Sequence, residues 1–207
     1  MTEAPLTRAE QQARTRTALV ASARRVFGRE GFHGARLEVI AYEAGLTKGA
    51  VYSNFESKAD LFLAVLDTDL ANLDPDTWDP AARFEAALQT AGEGLRSPEL
   101  APEDRDALGF GLATLEFIAS AGRDEQLLNA LSDRLGQLHA GFEAIARRSR
   151  QDDDALETRE LGAMLMGFDQ GMAILWLIGW MNVEASAMRR GLRRLLTPTR
   201  GENDGQL

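Results

Sequence analysis

The stretch Leu37-Glu38-Val39-Ile40-Ala41-Tyr42-Glu43-Ala44-Gly45-Leu46-Thr47-Lys48-Gly49-Ala50-Val51-Tyr52-Ser53-Asn54 reads as two short helices joined by a turn. Leu37, Ile40, Ala41 and Ala44 recur at helical spacing, and Gly45 follows as a residue that takes positive φ at little steric cost. Leu46 plugs the turn into the core. Thr47 stands where an N-cap is wanted, its hydroxyl placed to accept a backbone N–H from the next turn. In the second helix Val51 is the one strong apolar anchor. Lys48, Gly49, Tyr52, Ser53 and Asn54 are left to face outward.

This is the pattern of a helix-turn-helix, in which the second helix enters a DNA major groove. The Thr47–Asn54 segment, at roughly 1.5 Å rise per residue, predicts a rod of roughly 12 Å, suited to a groove about 12 Å wide. An αα-hairpin inside a helical bundle, with Gly45 as a simple C-cap, fits the same spacing. The neighbouring residues weigh against it.

Working outward, Thr17-Ala18-Leu19, Ala21-Ser22-Ala23, Phe27, Gly31-Phe32, Leu37, Ile40-Ala41 and Gly45-Leu46 come in order. They are followed by Gly49-Ala50-Val51-Tyr52-Ser53-Asn54-Phe55-Glu56-Ser57-Lys58-Ala59-Asp60-Leu61-Phe62. Together, over roughly residues 14 to 66, these runs closely resemble the N-terminal domain of tetracycline-repressor (TetR) type regulators. The resemblance implies a homodimer whose two reading heads bind half-sites of a palindromic double-stranded operator, with centres about 34–36 Å apart. Lys48, Gly49, Tyr52, Ser53 and Asn54 are the expected groove contacts, with Arg36 and Thr47 on phosphates. The family's matching lysine places Lys58 beside a phosphate too. One departure is Arg36, where the family usually has a Ser or Thr to cap the second helix. The resemblance also implies a small-molecule effector that enters the C-terminal bundle, shifts the fourth helix and changes the spacing of the heads.

The net charge of −9 is unexpected for a DNA binder, but it is unevenly spread. Residues 1–60 carry nine Lys/Arg against seven Asp/Glu, a balance of +2, and residues 61–207 carry −11. Phosphate binding depends on local charge, so the positive end is the end with the reading helix. The absence of cysteine excludes disulfides, thiol chemistry and cysteine-based zinc sites. The opening Met1-Thr2-Glu3-Ala4-Pro5 lacks a signal peptide's basic-then-apolar pattern, so a cytoplasmic location is expected.

Scarce proline and helical periodicity predict an all-α chain of about nine helices. Residues 1–66 form the three-helix reading domain, and 67–207 a helical-bundle domain for ligand binding and dimerisation. Residues 1–13 are expected to be disordered, the first helix running from about Arg14 to Arg29 with Leu19, Ala23, Val26 and Phe27 inward. Arg8, Arg14 and Arg16 are candidates for an arm along the DNA backbone. Ser57 and Asp60 resemble a capping box opening a fourth helix, whose apolar side is Leu61, Phe62, Val65, Leu66 and Leu70. Lys58 sits in its first turn, where the helix dipole disfavours a cation.

Further helices are expected over about 80–96, up to 121 (Leu108, Leu112, Leu115 and Ile118 apolar), 124–150, 155–181 and 184–196. The eighth is apolar nearly all round but broken by Asp169 and Gln170, too short for a membrane span. It must bury two faces, so dimerisation is expected through the eighth and ninth helices, about 155–196, with Gly167 and Gly171 allowing close approach. Arg189, Arg190, Arg193 and Arg194 of the ninth read as a solvated face. Candidate effector contacts are Phe84, Phe110, Phe117, Phe142, Met164, Phe168 and Trp176, an apolar set that points to a lipophilic ligand, although aromatics at helical spacing pack cores by default.

No enzyme, cofactor or metal is expected. The single Glu-x-x-His string, Glu30 to His33, is broken by Gly31, and no nucleophile elbow or phosphate-binding glycine loop occurs. The expected function is ligand-responsive transcriptional regulation, by a repressor or by an activator of the same fold. A helical ligand-binding or adaptor protein without operator binding is the alternative.

Overall fold

A computed structural model describes residues 7–71, 98–149 and 156–180, with 187, 190 and 191. Among these residues every regular element is a helix. They are α1 (Arg8–Gly34), α2 (Leu37–Glu43), α3 (Lys48–Tyr52), α4 (Lys58–Ala71), α5 (Pro102–Ala121), α6 (Glu125–Ser149) and α7 (Thr158–Leu177). The last three are the sixth, seventh and eighth helices of the sequence reading. The fifth and most of the ninth, with Phe84 and the cluster Arg189, Arg193 and Arg194, lie outside the described residues.

The described residues form two compact units, 7–71 with 98–138, and 139–149 with 156–180. In the first, α1 begins at Arg8 and not near Arg14, so the expectation of disorder up to residue 13 fails for the described residues. The reason is a capping box. Thr7 Oγ1 accepts the Glu10 N–H (3.3 Å) and Glu10 Oε2 accepts the Thr7 N–H (2.7 Å). Gly31, at φ 73°, breaks α1 where the sequence placed its end, and a single turn follows. Leu19, Ala23, Val26 and Phe27 are fully buried, as their spacing predicts.

The core is a stack of five phenylalanines from three helices. Phe62 of α4 lies 4.9 Å from Phe27, 5.1 Å from Phe110 and 4.7 Å from Phe117, and Phe32 closes on Phe27, Phe62 and Phe117. Leu63 and Ala64 are buried beside Leu61, Phe62 and Val65, so α4 is enclosed more widely than its predicted stripe.

On α5 the buried face is Phe110, Ala113, Phe117 and Ala121, while Leu112 and Ile118 of the predicted stripe are exposed. Close backbone approach explains the rotation. A Cβ on Gly109 would meet the Gly28 carbonyl oxygen at 2.0 Å, and one on Gly28 would meet that of Asp106 at 1.8 Å. The glycines bring α5 against α1 and turn the phenylalanines inward.

In the second unit, Gly162 of α7 packs tightly on α6, where a Cβ would come within 2.8 Å of the Glu143 Cα. Phe142, Ala146, Leu161 and Leu165 are buried there. Glu157 caps α7 with Glu160 as its box partner. No helix of the described residues is long and apolar enough to cross a membrane.

Candidate nucleic-acid interface

The turn between α2 and α3 closes as its chemistry requires. Gly45 takes φ 69°, and the Leu46 N–H reaches the Ala41 carbonyl at 2.8 Å. Arg36 precedes α2 without capping it, so its exposed guanidinium is available for another acceptor. Ser22, fully buried on α1, donates to the Ile40 carbonyl at 2.9 Å and ties α1 to α2.

Thr47 caps α3, its Oγ1 accepting the Ala50 N–H at 3.3 Å. Val51 is fully buried and Ala41 nearly so, while Tyr52 is 53% exposed and the Lys48 side chain 56%. One side of α3 is anchored and the other is bare. The regular helix is shorter than the predicted rod, covering Lys48–Tyr52 only. Ser53 Oγ and Asn54 Nδ2 both donate to the Ala50 carbonyl, at 3.0 and 2.8 Å, and wind the chain out of the helix. These two predicted readers are therefore bonded to their own backbone, with Asn54 Oδ1 left as an acceptor.

Lys48 bridges the two helices in an ion pair to Glu38 Oε1, and its Nζ stands 5.7 Å from the Tyr52 ring centre. The hydrogen bond lowers the Glu38 carboxyl from its ordinary pKa and raises the Lys48 ammonium. Glu38 was not among the expected site residues. The pairing joins positions ten apart across a turn, a separation no helical periodicity marks.

Two further cations are partly committed. Arg16 donates to the Asn54 carbonyl at 2.9 Å and lies over the Phe55 ring at 4.2 Å, so it buttresses the end of α3. Lys58 donates to the carbonyls of His33 (3.0 Å) and Ala35 (3.1 Å) and stands over Phe32. Its awkward place in the first turn of α4 is thereby explained, since it caps the end of α1. One N–H remains for a phosphate. Beside α3, an open polar groove of about 840 Å³ is lined by Arg8, Gln11, Gln12, Thr15, Ala50, Ser53 and Asn54.

Residues 19–65 match the family model described as bacterial regulatory proteins, tetR family. That stretch is a TetR-type N-terminal domain. The chain is 42% identical over 55 residues to the transcriptional activator FasR of Mycolicibacterium smegmatis, and 42% identical over 56 residues to the transcriptional repressor BepR of Brucella suis biovar 1. Those matches span 27% of this chain and about a quarter of either relative (25% and 27%). The TetR likeness of fold extends further. A putative TetR-family transcriptional regulator from Rhodococcus sp. superposes over 89% of this chain and 100% of its own, with a TM-score of 0.62 at 20% identity.

Of the candidate effector contacts, Phe110 and Phe117 are packed into the first unit's aromatic core. Phe142 is buried in the second unit, where Phe168 and Trp176 are half-buried and Met164 is 59% exposed.

Proposed function

We propose that the chain is a homodimeric, ligand-responsive transcriptional regulator, a repressor released from a palindromic operator by a small lipophilic effector. The observation that carries this is α3 itself, a short helix with Val51 buried and Lys48 and Tyr52 left bare. Residues 1–66 act as the reading head, and residues 67–207 hold the effector and the dimer contacts. Lys48, Gly49, Tyr52, Ser53 and Asn54 meet the groove, while Arg36, Thr47 and Lys58 meet phosphates. The partner copy docks on the eighth and ninth helices, about 155–196. In support, Gly167 and Gly171 of α7 have nothing within 4 Å of a built Cβ, and Met164, Ile174 and Ile178 are exposed near them. The effector contacts are drawn from the apolar candidates of the second domain, which suits a cytoplasmic sensor of lipophilic molecules. It must favour the DNA-incompetent spacing by several kcal/mol to release the operator.

A salt titration on a duplex carrying the gene's own promoter tests the reading. Affinity for that duplex should exceed that for a scrambled one and fall steeply with salt. Equal, weak binding to both duplexes favours an adaptor without operator binding. The activator reading is supported by the shared similarity to FasR and BepR, one an activator and one a repressor. A reporter driven by the same promoter, measured with and without the chain, separates the two.

A further inference from the structure

Several polar groups at the exposed side of α3 are already engaged within the chain. Ser53 and Asn54 are bonded back to the Ala50 carbonyl, and Thr47 Oγ1 accepts the cap hydrogen bond. Beside them stands a carboxylate, Glu38 of α2, with 53% of its side chain exposed. Its place on this surface is set by Lys48, which holds Oε1 and lies against the Tyr52 ring.

A carboxylate here is unfavourable by default. Double-stranded DNA carries one negative charge per roughly 1.7 Å of axis, so an acid aimed at the backbone is repelled. In the major groove the same acid has a partner, because the cytosine N4 amino group is a donor and Glu accepts from it. Lys48 pairs with Oε1 of Glu38 and offsets its charge, and the two carboxylate oxygens have further lone pairs for a donor on the DNA. Resting on the reading of α3 as the groove helix, we propose that Glu38 is a specificity-determining residue, presented by Lys48 to accept a hydrogen bond from the N4 amino group of one cytosine per half-site. The pair works as a unit. Lys48 orients the acid, and Glu38 selects the base.

The test is selection from a 30-base-pair duplex library with a randomised centre, using wild type, E38A and E38Q at one salt concentration. Glu38 is exposed, so both variants keep the buried core, and their melting curves check it. Wild type should enrich C·G at one position of each half-site, with discrimination of roughly tenfold or more over the other pairs. E38A should lose that single preference and keep the rest. E38Q should shift it towards A·T, since glutamine bonds adenine N6 and N7. The same base profile at every position for wild type and E38A, with affinity unchanged or uniformly higher, would overturn the proposal and leave Glu38 as a surface ion-pair partner. Failure of wild type to enrich any sequence would instead overturn the regulator reading on which the proposal rests.

Discussion

Tyr52 and Lys58 show how differently two residues of one motif are used. Tyr52 spends little on its own fold, so Tyr52→Ala should leave the melting temperature and dimer intact while costing about 1–3 kcal/mol of operator affinity per half-site. Unchanged affinity in a gel-shift titration would remove it from the interface. Lys58 is half-buried, and burial pulls its ammonium below the ordinary lysine value of 10.5 against a smaller opposing effect of Glu116. Between that lowered value and 10.5 the unfolded chain binds more protons than the native one, so stability should rise with pH across the window. Lys58→Met should abolish this rise and, by orphaning the His33 and Ala35 carbonyls, cost about 1 kcal/mol at neutral pH. Urea midpoints of both proteins from pH 8 to 10.5 decide it, and parallel slopes would count against the account.

Among the helices, the α1–α5 crossing is the strictest contact. Gly28→Ala puts a Cβ against a backbone oxygen that cannot swing aside, so a loss of about 2–3 kcal/mol is expected in chemical denaturation. Gly136 of α6 is the counter-case, exposed with nothing within 4 Å of a built Cβ. Gly136→Ala should stabilise by up to about 1 kcal/mol through helix propensity alone. If the two substitutions acted alike, packing at the crossing would not be the cause. Gly31 has a third role, because Glu116 of α5 sits where its Cβ would be and accepts the His33 N–H at 3.2 Å. The positive φ of that turn and its docking on α5 are thus one requirement.

For the whole molecule, the proposed dimer makes a prediction about α7. Ile174→Asp places a charge on an exposed apolar face and should leave the monomer folded while shifting sedimentation towards it. Operator affinity should fall with it, since each half-site alone is weakly held. A variant that still sediments as a dimer would move the interface elsewhere. In the proposed dimer, the acidic balance of residues 61–207 acts in the same direction, weakening non-specific DNA binding relative to binding through both heads.

Much of this was legible without coordinates. Val51 alone in an otherwise polar helix, Gly45 before Leu46, Thr47 before Lys48 and the period of Leu19, Ala23, Val26 and Phe27 are local patterns, and local patterns specify caps, turns and inward faces. Tertiary structure decided what lies beyond one helix. It chose which of two apolar stripes on α5 would be buried, through backbone contact at Gly28 and Gly109. It gave Lys58 two carbonyls at the end of α1, and it paired Glu38 with Lys48 across the turn. A helix's period fixes its own faces through bond geometry. Which face meets which neighbour depends on how closely two backbones approach and on where a charged group finds its partner, and neither is a property of one stretch of chain.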